Sequence, residues 1–494
     1  MVFALNSDSL TSLDPRVSVP QYDRANVSVG IVHLGVGGFH RAHQAVVVDD
    51  LLAAGHSNWG ICGVGLMPND AVMRDVMQAQ DSLYSLVTRA ASGEESVRVI
   101  GSIVEYIFGP DDPDQVLRRL TDPETKIVSL TITEGGYLQN HASGDFDPDS
   151  PMVISDLSTP SRPTGAFGYI VEAVRLRRER GIAPFTVMSC DNIRSNGDVA
   201  RAATVGLATL RSTELGEWIE KNVVFPNSMV DRITPVTAAS ELQHLRDEYG
   251  IDDSWPVASE NFFQWVLEDN FGLGRPPFAD AGVELVDDVL PFELMKLRLL
   301  NGSHQVIAYL GLLMGYRLVH DAAQDPVMRE LLRAFWAKEA IPSLEKLQNI
   351  DYSGYSETLL ERYSNPHIRD TLERLATDAS NRIPIFVLPI AQHCVEGGRA
   401  ALACALTVAG WAKFVEGVDD NGDPLTQNDA HSAELSRRVQ HPSGPDSFLA
   451  DSSVFGALGS QADFVAQFEE MSTLIHRLPV RDAVRGALAS TGDE

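Results

Sequence analysis

The chain has 494 residues, is 44% hydrophobic and 22% charged, and carries a formal net charge of −29. That length exceeds a single ordinary core, so two or three domains are expected. The acidic balance repels nucleic acid and anionic membrane surfaces at long range, which argues against both as partners.

In chain order, residues 1–28 read as a leader arm with several Ser, Asp and Pro. Their first residues lack a basic region followed by a sustained apolar one, so no secretory signal is expected. Val29–Leu34 reads as a short apolar strand, followed by Gly35-Val36-Gly37-Gly38-Phe39-His40 and a helical pattern to about Ala54. Ile61–Leu66, Ile127–Thr133 and Phe185–Ser189 read as further strands, with helical stretches at Asp114–Leu120 and Ala166–Arg180. Strands alternating with helices predict a parallel α/β sheet. Around 275–288 a Pro-rich turn and a strand-like ValGluLeuVal precede a long run of helical periodicity. Examples are Asp325–Glu339, Ser356–Tyr363, Arg369–Leu375 and Arg399–Phe414, while residues 440–453 read as a loop. The apolar run Ala400–Val415 is interrupted by Thr407, Gly410 and Lys413, and reads as a buried helix rather than a membrane span. The expected organisation is an α/β, Rossmann-type dinucleotide-binding domain over 1–286 and a mainly α-helical domain over 287–494 that carries the substrate and catalytic groups. Four cysteines (Cys62, Cys190, Cys394, Cys404) form no CxxC pair, which fits reduced thiols and a cytoplasmic location.

A strand, GxGG and a helix together present backbone N–H groups to a pyrophosphate. Gly35 allows the tight turn, Gly37 the close approach of backbone to phosphate, and His40 stands where the third glycine of GxGxxG usually does. A glycine-rich βα turn without a ligand is the alternative. An acid after the second strand would accept the adenosine ribose hydroxyls and repel a 2′-phosphate, favouring NAD over NADP. Asp70 is placed for that role, or for capping the helix that begins at Ala71.

The most polar interruption of an apolar segment lies within Val289–Tyr316, where Glu293, Lys296, Asn301 and His304 occur. Buried charged groups are costly unless paired or functional. At about 100° per residue, Glu293 and Lys296 fall roughly 60° apart and His304 roughly 80° from Lys296, with Asn301 about 60° beyond. One face then offers a base, an amide and an imidazole to a common point. A lysine snorkelling to the surface is the alternative for Lys296, and a satisfied core histidine for His304.

Five blocks in order carry a family resemblance: GlyValGlyGlyPheHisArgAlaHisGln (35–44), SerLeuThrIleThrGluGlyGlyTyr (129–137), SerCysAspAsn (189–192), ProAsnSerMetValAspArgIleThrPro (226–235) and LysLeuArgLeuLeuAsnGlySerHis (296–304). Together they resemble the polyol-specific long-chain dehydrogenases, nearest to the mannitol-oxidising members. The resemblance implies metal-independent hydride transfer between a sugar alcohol and NAD, with NADP a weaker alternative. D-mannitol going to D-fructose is the expected reaction. Lys296 matches the general base, which needs desolvation or neighbouring cations to act near neutral pH. Asn192 and Asn301 match a pair stabilising the developing oxyanion, His304 a substrate-orienting group and Glu293 a proton-relay carboxylate. A turn asparagine is the alternative at Asn192, and a salt bridge to Lys296 or Arg298 at Glu293. Val230 and Asp231 match positions lining the nicotinamide end, although Asp231 and Arg232 would also suit a structural ion pair. Arg374 matches an arginine that grips polyol hydroxyls, or is a surface arginine. The implied partner is a small polyol or ketose, and the family includes monomers.

Two departures bear on specificity. Asn69-Asp70 stands where the family often has Glu-Asp, which weakens rejection of NADP. Arg382, in SerAsnArgIlePro (380–384), stands where the family often has a substrate-side lysine. Its planar fork suits a carboxylate, so a hexuronate such as fructuronate or tagaturonate is an alternative substrate, as are arabinitol and sorbitol. No metal is expected: AspAspAsnGlyAsp (419–423) lacks the glycine and terminal acid of a calcium loop, and His393-Cys394 lacks ligand spacing. The absence of GxSxG and GxxxxGK[ST] argues against a serine hydrolase and a phosphoryl-transfer enzyme.

Overall fold

The structure is a computed structural model that describes residues 1–140, 144–347, 350–441 and 445–490. It divides into two compact units, Met1–Leu290 and Pro291–Glu494.

The first unit is organised by a five-stranded parallel sheet in the order Ile103–Phe108, Gly60–Gly65, Val29–Leu34, Ile127–Leu130, Thr186–Ser189. Val29–Leu34 is buried along its whole length, as a strand covered on both faces must be. Successive side chains divide between two cores. Val32, Leu34, Val128 and Leu130 pack with residues of the helices Pro113–Leu120 and Ala166–Glu179. Ile31, Ile61, Ile127 and Met188 pack with the helix Gln44–Ala53. The expected α/β character therefore holds.

Several strands escaped the sequence reading, among them Tyr84–Arg89, Glu95–Ile100 and Ile103–Phe108. The first two pair antiparallel in a separate four-stranded sheet. The leader arm is partly tied down: Phe3–Ala4 pairs with Ile251–Asp252 and Val17–Ser18 with the Glu95–Ile100 strand. The strand expected over Ile127–Thr133 ends at Leu130, because Thr133 turns to φ +62°.

The second unit is helical. Its central helix, Gly302–Leu313, is buried at every residue. Such an all-round buried helix is a core element, packed on all sides. Gly410 on Leu402–Val415 lets that helix approach closely, since a Cβ there would lie 2.8 Å from a Leu310 methyl. Residues 442–444 of the expected loop lie outside the described residues, and within the rest of it Pro445–Leu449 and Ser452–Phe455 are helical. An aspartate N-cap, Asp451, starts the second of these by accepting from the Ser453 N–H. Among the described residues, no helix is long and apolar enough to cross a membrane.

Candidate functional site

In the first unit the chain leaves the Val29–Leu34 strand through Gly35 at φ +92°. Only glycine adopts this without strain. A Cβ there would also lie 2.3 Å from the Thr131 carbonyl oxygen. The turn is braced from behind. The Gly35 N–H donates to the Val64 carbonyl at 3.0 Å, and the Gly35 carbonyl accepts from the Thr131 hydroxyl at 2.6 Å. Gly37 is exposed, and a Cβ on it would meet nothing within 4 Å, so its backbone faces open space. Gly35, Val36, Gly37 and Asp70 line one cleft of about 230 Å³, with Thr131–Thr133 and Gly165 on its other side.

Gly38, Phe39 and His40 enter a five-residue helix, Gly38–Ala42, and the chain breaks at His43 before Gln44–Ala53. The His40 ring is fully buried and stacks on His33, with centroids 3.4 Å apart. The Phe39 ring stacks on His43 at 4.8 Å. His33 bonds the Ser129 hydroxyl at 2.8 Å and the Thr131 hydroxyl at 2.9 Å, and complete burial lowers its pKa to about 3. Asp70 does not cap the following helix with its side chain. Its Oδ2 instead accepts from the N–H groups of Leu66 and Met67, at 2.9 and 2.8 Å, because a short 3-10 turn, Pro68–Asp70, swings the carboxylate back towards the strand end.

Asn192 follows the Thr186–Ser189 strand and is exposed. The residue before it, Asp191, has no role in the sequence reading, yet it organises this end of the sheet. Its carboxylate accepts from the N–H groups of Ile132 and Thr133, each at 2.9 Å, and from the Tyr137 hydroxyl at 2.7 Å. Burial raises its pKa, and these hydrogen bonds oppose the rise. Thr133 is thereby held at φ +62°, ψ 168°. Such a conformation costs on the order of 1–3 kcal/mol for a residue with a Cβ. The available signal was an aspartate at a buried strand end, next to a candidate catalytic asparagine. Val230 and Asp231 lie on the strand Ser228–Asp231, which pairs antiparallel with Gln264–Glu268, and both are buried.

In the second unit the run through Glu293, Lys296, Asn301 and His304 is not one uniform α-helix. Leu290–Met295 is α-helical, Lys296–Asn301 is a π turn, and Gly302–Leu313 is α-helical again. The 100° spacing therefore fails between Lys296 and Asn301, since a π turn closes i→i+5 and holds more residues per turn. All four side chains are buried: Glu293 is 5% exposed, and Lys296, Asn301 and His304 are each 8% exposed. So low an exposure does not favour the snorkelling alternative for Lys296. Asn301 Nδ2 has no hydrogen-bond partner among the described residues.

Arg374 lies on Leu372–Ala376, with its side chain 54% exposed, and is paired with Asp370 through Nε at 2.6 Å. Arg382, on Ala379–Phe386, donates to the carbonyls of Arg374 and Leu375 at 3.1 and 3.2 Å. The two arginines are thus neighbours, though each already serves protein acceptors.

The sequence matches two family models end to end. The mannitol dehydrogenase Rossmann domain covers residues 29–280, and the mannitol dehydrogenase C-terminal domain covers 288–475. Mannitol dehydrogenase 2 of Saccharomyces cerevisiae is 42% identical over 483 residues, covering 97% of this chain and 96% of that protein. D-mannonate oxidoreductase of Escherichia coli is 43% identical over 456 residues, 91% of this chain and 93% of that one. The structure of Pseudomonas fluorescens mannitol 2-dehydrogenase, solved as a ternary complex with NAD and D-mannitol, superimposes with a TM-score of 0.89 at 42% identity, over 99% of this chain and 100% of that one. The five blocks, the glycine turn on a parallel sheet and the buried lysine run converge with these matches: the chain belongs to the mannitol dehydrogenase family and is a polyol dehydrogenase by kind.

Proposed function

We propose that the chain oxidises the C2 hydroxyl of D-mannitol to give D-fructose, with NAD as coenzyme, and catalyses the reverse reduction. The observation that carries this reading is the burial of Lys296, Asn301 and His304 on one helical run. The Pseudomonas enzyme solved with NAD and D-mannitol, similar over the whole length, supports it.

Lys296 takes the hydroxyl proton, and its burial removes the bulk water that would otherwise solvate an ammonium. Asn192 and Asn301 donate to the oxygen as negative charge grows on it. Asn301 Nδ2 is a buried donor with no other hydrogen-bond partner among the described residues, as that role requires. His304 orients the alcohol, and Glu293 passes the proton from Lys296 towards water.

The first unit suits a dinucleotide. The open space at Gly37 admits phosphates to the backbone, and the clash that any Cβ would meet at Gly35 reserves the turn for glycine. Gly35, Val36 and Gly37 hold the pyrophosphate, with Gly38, Phe39 and His40 setting the turn into the helix. Asp70 takes the ribose hydroxyls, while Val230 and Asp231 border the nicotinamide. The nicotinamide supplies the hydride acceptor. Arg374 and Arg382 grip the remaining hydroxyls of the substrate.

A second reading, oxidation or reduction of a hexonate or hexuronate, has its own support. The Escherichia coli relative is a D-mannonate oxidoreductase, and Arg382 carries a fork suited to a carboxylate. Steady-state rates with D-mannitol, D-arabinitol, D-sorbitol, D-fructuronate and D-mannonate separate the two. Mannitol with NAD is expected to give the highest kcat/KM. Negligible turnover of every polyol alongside turnover of an acid sugar would replace the first reading with the second.

A further inference from the structure

The π turn at Lys296–Asn301 is fastened from outside its own helix. Inside such a turn the backbone departs from the i→i+4 ladder, so its carbonyls depend on other donors to hold one geometry. The Leu299 carbonyl accepts from the Ser303 hydroxyl at 2.6 Å and from the Trp336 indole N–H at 2.9 Å. The Leu300 carbonyl accepts from the Tyr363 hydroxyl at 3.0 Å and from Ser303 at 3.1 Å. The Ser303 and Tyr363 hydroxyls lie 2.9 Å apart and, with one proton each, share these acceptors between them. Ser303, Trp336 and Tyr363 are each no more than 2% exposed, so water does not compete for these carbonyls.

Tyr363 makes a second contact that matters. Its ring lies against His304, with centroids 4.8 Å apart and planes inclined by 32°. The Leu300 carbonyl belongs to the same rigid peptide plane as the Asn301 N–H. Fixing that carbonyl fixes the peptide plane that carries the Asn301 Cα, from which its side chain departs. One residue, from a different helix (Tyr352–Tyr363), thus touches both the peptide leading into Asn301 and the His304 imidazole.

We propose that Tyr363 is a positioning residue for the reaction: its hydroxyl on the Leu300 carbonyl and its ring against His304 hold the π turn in the one winding that aims Asn301 and His304 at the reacting alcohol. Trp336 performs the matching task on the Leu299 carbonyl. The proposal rests on the reading of Lys296, Asn301 and His304 as catalytic, and its test keeps the two apart.

Tyr363→Phe preserves the ring against His304 and removes only the hydroxyl. The full-length variant is assayed with D-mannitol and NAD beside the parent and Asn301→Ala, with coenzyme affinity measured by fluorescence titration. Loss of the buried hydroxyl contacts to Leu300 and Ser303 and a small misplacement of the amide is expected to lower kcat about tenfold, with coenzyme affinity unchanged. Parental kcat in Tyr363→Phe, with Asn301→Ala slow, overturns the positioning role and leaves the catalytic reading standing. Parental kcat in Asn301→Ala overturns the catalytic reading, and the proposal with it. Equal losses of kcat and coenzyme affinity in Tyr363→Phe mean general damage and also overturn it. Should Tyr363→Phe not fold, Trp336→Phe removes the indole donor to Leu299 together with part of a buried ring: lowered kcat with coenzyme affinity and thermal stability near the parent's supports the proposal, and parental kcat, or losses of all three together, overturns it.

Discussion

In the first unit, the groups around the glycine turn are set by backbone conformation. Gly35 stands at φ +92° and Thr133 at φ +62°, and the carbonyls and amides nearby are tied by His33, Thr131 and Asp191. In the second unit, Lys296, Asn301 and His304 are side chains on one continuous helical run, and a π turn resets their angles. Backbone presentation suits a ligand recognised by its phosphates and ribose, which are common to many substrates. Side-chain presentation suits the single oxygen where bonds break, because functional groups there must be of specific kinds. Local strain at ligand-facing turns and a helical irregularity at a chemical centre are two solutions to one requirement: holding a geometry that regular structure does not supply.

If this division is right, damage on each side has a different signature. Lys296→Ala is expected to lower kcat for mannitol oxidation by about 10²–10⁴-fold while the affinity for NAD stays at the parental value. A variant that reduces fructose as fast as the parent would remove the lysine from the chemistry. Gly35→Ala reverses the pattern. The methyl group clashes with the Thr131 carbonyl at 2.3 Å and strains a positive φ. Thermal stability falls, by more than about 1 kcal/mol, and coenzyme affinity falls with it. Unchanged NAD titration in this variant would show that the turn does not hold the dinucleotide.

The remaining effect concerns pH. His33 is buried and neutral, with its pKa lowered to about 3 from an ordinary 6.5. Between those values the unfolded chain binds a proton that the folded chain refuses, so stability falls as pH drops from about 6.5 towards 3. The slope from this one group is at most about 1.4 kcal/mol per pH unit. His33→Asn is expected to flatten the parent's loss of stability over pH 6.5 to 4, read by denaturant unfolding at each pH. Parallel slopes for the two proteins would assign the acid sensitivity elsewhere.

Much of this arrangement is legible in the sequence because it rests on local chemistry. Val29–Leu34 with its glycine turn reads as a buried strand feeding a loop, and the polar residues inside Val289–Tyr316 announce themselves by interrupting an apolar helix. What the sequence hides depends on distant partners. The Ile103–Phe108 strand carries Glu105 and Tyr106 among its apolar residues, which obscures its period, and Glu105 is satisfied by Arg119 from a neighbouring helix. The π turn is invisible to any fixed angular rule, because its fasteners come from Trp336 and Tyr363, 37 and 63 residues downstream of the carbonyls they hold. Asp70 was read as a ribose acceptor or a helix cap. The cap fails because the 3-10 turn at Pro68–Asp70 directs its carboxylate to the backbone of Leu66 and Met67.

The hold that Asp191 has on Ile132 and Thr133 carries a consequence for how such chains diverge. Both carboxylate oxygens are in use, Oδ1 on the Thr133 amide and Oδ2 on the Ile132 amide and the Tyr137 phenol. An asparagine offers one acceptor oxygen, and a glutamate is a methylene too long. A substitution at 191 is therefore expected to release the contorted peptide at 133, so two segments far apart in the chain answer to one carboxylate.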